Sequence, residues 1–230
     1  MSLVYLVFDC DGTLVDSQHA IVAAMTEAFV AEGFRPPRRE AVLSVVGLSL
    51  APAIARLLPD EPARRHAHLA EAYKSAYLSL RARGEVSQPL YPGAKRTVQA
   101  LAGGETLLGV ATGKSQRGAE AVLDMHGIRR HFQSVRTADD GPGKPDPHML
   151  KLAMRDVGAA PRETVMIGDT TYDMEMARAA GAGALGVTWG YHAPAALECA
   201  GAHAVVDSFA AIEGAAVGIL RMLEAQGAGA

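Results

Sequence analysis

The chain has 230 residues, 49% of them apolar and 20% charged, with a formal charge of −3. That length holds one core domain, or a core with a small accessory domain, and the composition is that of an ordinary soluble globular protein. The arginine pairs at 38–39, 64–65 and 129–130 are isolated, so no nucleic-acid surface is expected; the two cysteines, Cys10 and Cys199, lack CxxC spacing, which excludes a disulfide framework and fits a reducing cytoplasm.

The chain goes straight into an apolar run, Leu3 to Phe8, too short to span a bilayer and not preceded by a cationic leader, so no membrane association is expected. Continuous apolar runs suit strands buried on both faces of a parallel sheet. Similar runs recur at Leu107–Ala111, Val165–Ile167, Ala184–Val187 and Ala204–Val206, with helical patterns between them at Gln116–Met125, after Pro147 and at Asp173–Ala180. Strands alternating with helices predict βαβ units: an α/β fold with a doubly wound parallel sheet, Rossmann-like.

Between Ser17 and Ser87 no strand pattern is found. Ile21, Ala24, Met25, Ala28 and Phe29 follow the 3.6-residue period, which predicts an amphipathic helix over 18–32 that stops at Gly33. Leu69, Ala72, Tyr73, Ala76, Tyr77 and Leu80 do the same on a second long helix. Pro89 and Pro92-Gly93 mark a boundary. The expected organisation is therefore a core of residues 1–16 and 88–230 with an all-helical cap, 17–87, inserted after the first strand. The Ala/Gly-rich tail after Gln226 is expected to fray.

Ligands of open α/β sheets bind beyond the carboxyl ends of the strands. The polar residues found there are Asp9 and Asp11 after the first strand, Thr112-Gly113-Lys114 after the second run, and Gly168-Asp169-Thr170-Thr171 with Asp173 after the third. Gly143-Lys144-Pro145 lies in a connecting loop. Side chains at i and i+2 of an extended segment point the same way, so Asp9 and Asp11 share one space, and Cys10 between them points into the core. Clustered carboxylates repel unless a cation neutralises them, and Mg²⁺ prefers oxygen ligands of this kind. An aspartate can serve as nucleophile for phosphoryl transfer, Lys144 can balance charge, Thr112 can donate to a phosphate oxygen, and Gly12 and Gly113 let backbone N–H groups approach an anion. Taken singly, each piece has a plain structural alternative: an Asx turn at 9–13, a helix N-cap at Thr112, a helix start at Asp169-x-x-x-Asp173. His66, His68 and Trp189 are expected to be structural; His192 falls on the same rim.

In this order the motifs resemble those of the haloacid dehalogenase-like superfamily of hydrolases, over nearly the whole chain. The first matches Asp9-Cys10-Asp11-Gly12-Thr13-Leu14-Val15-Asp16-Ser17, the second Thr112, the third Lys144 in Gly143-Lys144-Pro145-Asp146-Pro147, and the fourth Gly168-Asp169-Thr170-Thr171-Tyr172-Asp173-Met174. The helical insertion resembles the family's small cap, and the nearest resemblance inside the family is to phosphoglycolate phosphatase-like members. The resemblance implies that Asp9 attacks phosphorus and Asp11 is acid, then base. It implies that Mg²⁺ is held by Asp9, the carbonyl of Asp11 and Asp169, with Asp173 direct or through water. Thr112, Gly113 and Lys144 are implied to hold the phosphoryl group. A small-molecule phosphorylated substrate, no nucleic acid, no membrane, and a monomer or homodimer follow as expectations. Dehalogenases of the family lack the second acid, which this chain has as Asp11. Phosphonatases use a cap lysine for imine formation, and the cap's lysine here, Lys74, is placed well inside a helix. Mutases carry a hinge histidine where this chain has Ile21. A mutase, a pyrophosphatase or a non-catalytic phospho-ligand binder stand as the alternatives, and the presence of Asp9, Asp11, Lys144 and Asp169 together argues for turnover.

Overall fold

The computed structural model describes residues 3–102 and 106–227. In chain order, β1 (Val4–Phe8) leads into four helices, α1 (Gln18–Ala31), α2 (Arg39–Leu43), α3 (Leu50–Leu57) and α4 (Ala63–Ala82). The chain then alternates through α5 (Ala94–Ala102), β2 (Thr106–Ala111), α6 (Gln116–Met125), β3 (Ser134–Arg136) and α7 (His148–Val157). It continues with β4 (Thr164–Gly168), α8 (Thr171–Ala180), β5 (Gly183–Val187), α9 (Pro194–Cys199), β6 (Ala204–Val206) and α10 (Ile212–Gly227). The residues after α10 lie outside the described ones, so the expected fraying of the tail is not addressed beyond Gly227.

All strand pairings are parallel, in the order β3-β2-β1-β4-β5-β6. The alternation of side chains along β1 explains the layers. Leu6 and Phe8 join a core with Val98 of α5, Leu123 of α6 and Ile212 and Ile219 of α10. Tyr5 and Val7 face the other way, into Met149 and Leu150 of α7 and Met174 and Met176 of α8. Strand β1 is thus covered on both faces, which is why its sequence is apolar throughout rather than alternating. The edge strand β3 has no counterpart in the expected elements. It is only three residues long, Ser134-Val135-Arg136, and two of them are polar, so no apolar run announces it.

The segment between β1 and α5 is helical, as expected. Ile21, Met25, Ala28 and Phe29 of α1 pack with Val42, Leu43, Ile54, Leu69 and Ala70 in a hydrophobic cluster of their own. On α4, Leu69 and Leu80 are buried, while Ala72, Tyr73, Ala76 and Tyr77 are only partly so. Ala72 and Tyr73 pack against the same cluster, and the Tyr73 and Tyr77 hydroxyls lie within electrostatic range of Lys114 and Asp11 at the strand ends. The two connections to the sheet run side by side: Asp16 N donates to Pro89 O at 2.8 Å and Tyr91 N to Leu14 O at 3.0 Å, around a Val15–Leu90 bridge. Among the described residues no helix is long and apolar enough to cross a membrane.

Candidate active site

The chain leaves β1 toward β2 and β3 on one side, then returns to place β4 on the other side of β1. A crevice opens outside the strand ends at such a reversal. Phe8 is in register with Ile167, and Asp9 N donates to Ile167 O at 2.9 Å, so Asp9 and Asp169 emerge side by side. Oxygens of Asp9, Asp169 and Asp173 can come within 4.8 Å of one another, and all three residues are buried.

Each acid is held differently. Asp169 accepts from Thr13 Oγ1 at 2.8 Å and from Tyr191 N at 2.9 Å. Asp173 Oδ2 accepts from Thr170 N at 3.0 Å and Thr170 Oγ1 at 2.7 Å, closing a capping box at the start of α8. Lys144, fully buried, lies 2.8 Å from Asp9 Oδ1 and 2.6 Å from Asp173 Oδ1. These are ion pairs without directed hydrogen-bond geometry: among the described residues neither oxygen of Asp9 has a hydrogen-bond donor. A buried carboxylate with two unsatisfied oxygens, beside two further buried carboxylates, is the donor set a hard divalent cation requires. The cluster therefore fits a metal site.

The electrostatics follow from burial. Desolvation pushes the Asp9 carboxyl up to about 7; Lys144 pulls it down, and Asp173 and Asp11 push it up again. Burial also raises Asp169 well above the usual carboxylate range, with Asp9 and Asp173 adding to the rise. Burial opposes the charge on Lys144, but Asp173 and Asp9 more than offset it and hold the ammonium above the ordinary lysine value.

Gly12 shows how tightly the loop is wound. Its φ is +83°, and a β-carbon there would stand 2.2 Å from Asp169 Oδ2, so only glycine fits beneath that carboxylate. Trp189 Nε1 donates to Thr13 O at 3.0 Å while its ring lies 4.5 Å from that of Phe209, so it supports the loop from the core side. Cys10 is buried in the same core, as its alternation with the two acids requires.

Asp11 faces the rim but stands apart from the other three acids. Both its oxygens engage Lys114 Nζ, at 2.8 and 3.0 Å, and Ser17 Oγ donates to Oδ1. Lys114 and Ser17 are not among the expected site residues, although Ser17 ends the first motif and Lys114 is one of the polar residues beyond the second apolar run. Thr112 is buried at the end of β2; its Oγ1 accepts from Lys114 N at 3.3 Å. Gly113 lies under the helical segment: a β-carbon there would be 2.8 Å from Gly47 O and 2.9 Å from Leu48 O. The uncharged 46–49 loop is thus folded down onto the strand ends. Core residue Tyr172 reaches into the helical segment, donating to Ser44 O at 2.8 Å and accepting from Arg56 Nη1 at 2.7 Å. His192 holds the first turn of α8, its Nδ1 accepting from Thr171 N at 3.1 Å. His66 and His68 serve structure, on Leu58 O at 2.8 Å and beside Glu32 at 3.1 Å.

Comparison with known proteins agrees with this geometry. The family model of the haloacid dehalogenase-like hydrolases matches residues 6–187. The probable phosphatase IndB of Dickeya dadantii (strain 3937) is 35% identical over 220 residues, covering 94% of this chain and 95% of that protein. A phosphoglycolate phosphatase of Vibrio vulnificus (strain YJ016) is 30% identical over 213 residues, covering 89% and 92%. A crystal structure of a hydrolase from Pseudomonas syringae matches with a TM-score of 0.79 at 28% identity, over 89% of this chain and 94% of that one. A match that runs from within the first strand through the fifth, and takes in Asp9, Asp11, Thr112, Lys144, Asp169 and Asp173, means that the chain belongs to the haloacid dehalogenase-like hydrolases.

Proposed function

We propose that the protein hydrolyses a small-molecule phosphate monoester with Mg²⁺, through a phosphoryl-aspartate on Asp9, as a phosphoglycolate phosphatase-like member of its family. The observation that carries this reading is Asp9 itself: a buried carboxylate at a strand end with neither oxygen hydrogen-bonded, beside Lys144 and two more acids. The names of the relatives from Dickeya and Vibrio point to the same class of reaction.

In this reading Asp9 attacks phosphorus while Lys144 and Thr112 hold the non-bridging oxygens. Asp11, turned from Lys114 and carrying a proton taken up from solvent, gives that proton to the leaving oxygen and later regains one from the water that cleaves the acyl phosphate. Mg²⁺, held by Asp9, the carbonyl of Asp11 and Asp169, would supply the positive charge that lets a phosphate dianion approach three acids. Asp173 commits only Oδ2 to Thr170 by hydrogen bonds, and its Oδ1 is paired with Lys144 as Asp9 Oδ1 is, which supports a role in placing Lys144 and in meeting the metal directly or through water. Residues 17–87 act as a cap on the core of 1–16 and 88–230, hinged at the paired connections near Val15 and Leu90. Closure excludes bulk water during the first step and opening admits it for the second.

The test is Asp9→Asn, assayed on p-nitrophenyl phosphate with Mg²⁺ and checked for folding by circular dichroism. Turnover should fall by a factor on the order of 10⁶ with the fold intact, and EDTA should abolish the wild-type rate until Mg²⁺ is restored. A tenth of the activity surviving in the variant would remove Asp9 from the role of nucleophile.

A further inference from the structure

Lys114 has no task in the chemistry above. Its side chain is 11% exposed and that of its partner Asp11 12%. It belongs to the core, but it faces the helical segment: the Tyr73 and Tyr77 hydroxyls of α4 lie within electrostatic range of both Lys114 and Asp11, with their rings 6.3 Å apart. Burial raises both phenols above their ordinary values, so they stay protonated and can donate.

We propose that Lys114 recognises a negative charge on the leaving group, and so selects phosphate esters of small hydroxy acids; this rests on the phosphatase reading and deepens it. Asp11 cannot serve the ester oxygen in the position it occupies, because both its oxygens are engaged by Lys114 and one also by Ser17. It must turn away. A nearly buried ammonium is then left without its counter-ion, in a site closed from water, which is costly. An anion on the leaving group removes that cost by taking the place of Asp11. Lys114 touches the carboxylate that serves the ester oxygen, so the anion must lie within a few bonds of that oxygen. A carboxylate on the carbon bearing the phosphate ester satisfies this, with Tyr73 and Tyr77 as further donors. The neighbouring cap loop Val46-Gly47-Leu48-Ser49 carries no charge, and Lys144 is committed to Asp9 and Asp173, which leaves Lys114 as the cation paired with Asp11. Binding of the correct leaving group and release of the acid are then one event.

The experiment compares 2-phosphoglycolate with 2-hydroxyethyl phosphate, in which a neutral CH₂OH replaces the carboxylate. Wild-type kcat/KM should favour the first by at least about 30-fold, the lower range for pairing a buried charge. In Lys114→Met the ratio should fall to within about threefold, whereas Lys114→Arg should retain a clear preference. Circular dichroism checks the fold of each variant; if Lys114→Met does not fold, Lys114→Gln and the wild-type ratio decide. Equal losses on both esters would mean that Lys114 only orients Asp11, and would overturn the proposal. So would a wild-type ratio near one in a protein that turns over p-nitrophenyl phosphate. A wild type that hydrolyses no phosphate ester would instead bring down the phosphatase reading on which the proposal rests.

Discussion

Replacing Lys144 with methionine probes the site as a set of balanced charges. Methionine has similar length and no charge, so the volume is kept and only the ammonium is lost. Lys144 is fully buried between Asp9 and Asp173, at 2.8 and 2.6 Å. Removing one partner of a buried ion pair leaves uncompensated charge and costs about 3–5 kcal/mol. At about 2–4 °C per kcal/mol for a chain of this size, metal-free Lys144→Met should melt roughly 6–20 °C below wild type at pH 8. The deficit should shrink on acidification, and the sign follows from Asp9. Its folded-state value is raised to about 7 from an ordinary 3.8, so between these values the folded protein binds more protons than the unfolded one, and stability falls as pH rises. Without Lys144 the Asp9 carboxyl is raised further, so the variant loses more than wild type as pH climbs past 7. Urea unfolding in EDTA at pH 8 and pH 5.5 reads both effects, and added Mg²⁺ should recover part of the loss at pH 8 because it binds only the folded state. A deficit below about 1 kcal/mol at pH 8, the range of exposed ion pairs, or one larger at pH 5.5, would refute the reasoning.

Three further outcomes are expected. Asp11→Asn should slow turnover of an alkyl phosphate by about 10²–10⁴ and of p-nitrophenyl phosphate by less, since nitrophenolate leaves without a proton; equal losses in steady-state kinetics would count against the acid role. Affinity for Mg²⁺, measured by calorimetry, should rise with pH through about 7, where Asp9 gives up its proton, and a flat profile between pH 5.5 and 8 would contradict the involvement of Asp9. Phe29→Ala should cost about 3–5 kcal/mol in urea unfolding, because Phe29 is 1% exposed in the helical cluster and its ring lies 6.1 Å from that of Phe34; a cost under 1 kcal/mol would mean the cluster is not packed as described.

The parts of the fold legible in the sequence are those in which one chemical pattern has one structural outcome. The run Leu3–Phe8 is apolar at every position because both of its faces are covered, and the acids that end it mark where that cover stops. Ile21, Met25, Ala28 and Phe29 are legible as a helix face for the same reason. Strand β3 is not legible: it lies at the sheet edge, needs only one neighbour, and carries Ser134 and Arg136 to a shared partner, Asp156, that lies 20 or more residues away. Lys114 is hidden for a related reason. Its neighbourhood in sequence is Thr112-Gly113, which speaks of phosphate, but its partner is Asp11, more than 100 residues earlier, and only the pairing of β1 with β2 brings them together. Asp173 was open to two readings, helix start or site residue. The two do not exclude each other: one oxygen closes the capping box of α8 and the other meets Lys144 in the crevice.

That double use of Asp173 has a counterpart in the charge of the whole crevice. Four carboxylates, Asp9, Asp11, Asp169 and Asp173, meet two ammonium groups, Lys114 and Lys144, leaving two negative charges largely out of water. Burial and mutual repulsion raise Asp9, to about 7, and Asp169 as well, so near neutral pH a held proton relieves part of the excess, on Asp9 at the carboxylate proposed to attack phosphorus. A monovalent ion would cancel half of the excess. A divalent ion cancels all of it and displaces the proton at the same moment. In the proposed mechanism, the need for a metal and the readiness of Asp9 to attack would then be set by one quantity, the count of buried acids over buried lysines. The two lysines pair with different acids: Lys144 with Asp173 and with Asp9, the one proposed as nucleophile, and Lys114 with Asp11, the one proposed to move the proton. A substitution at either lysine therefore alters the charge balance of the whole site as well as one contact, which is why the two variants proposed above should differ in which step they damage while sharing a dependence on metal and pH.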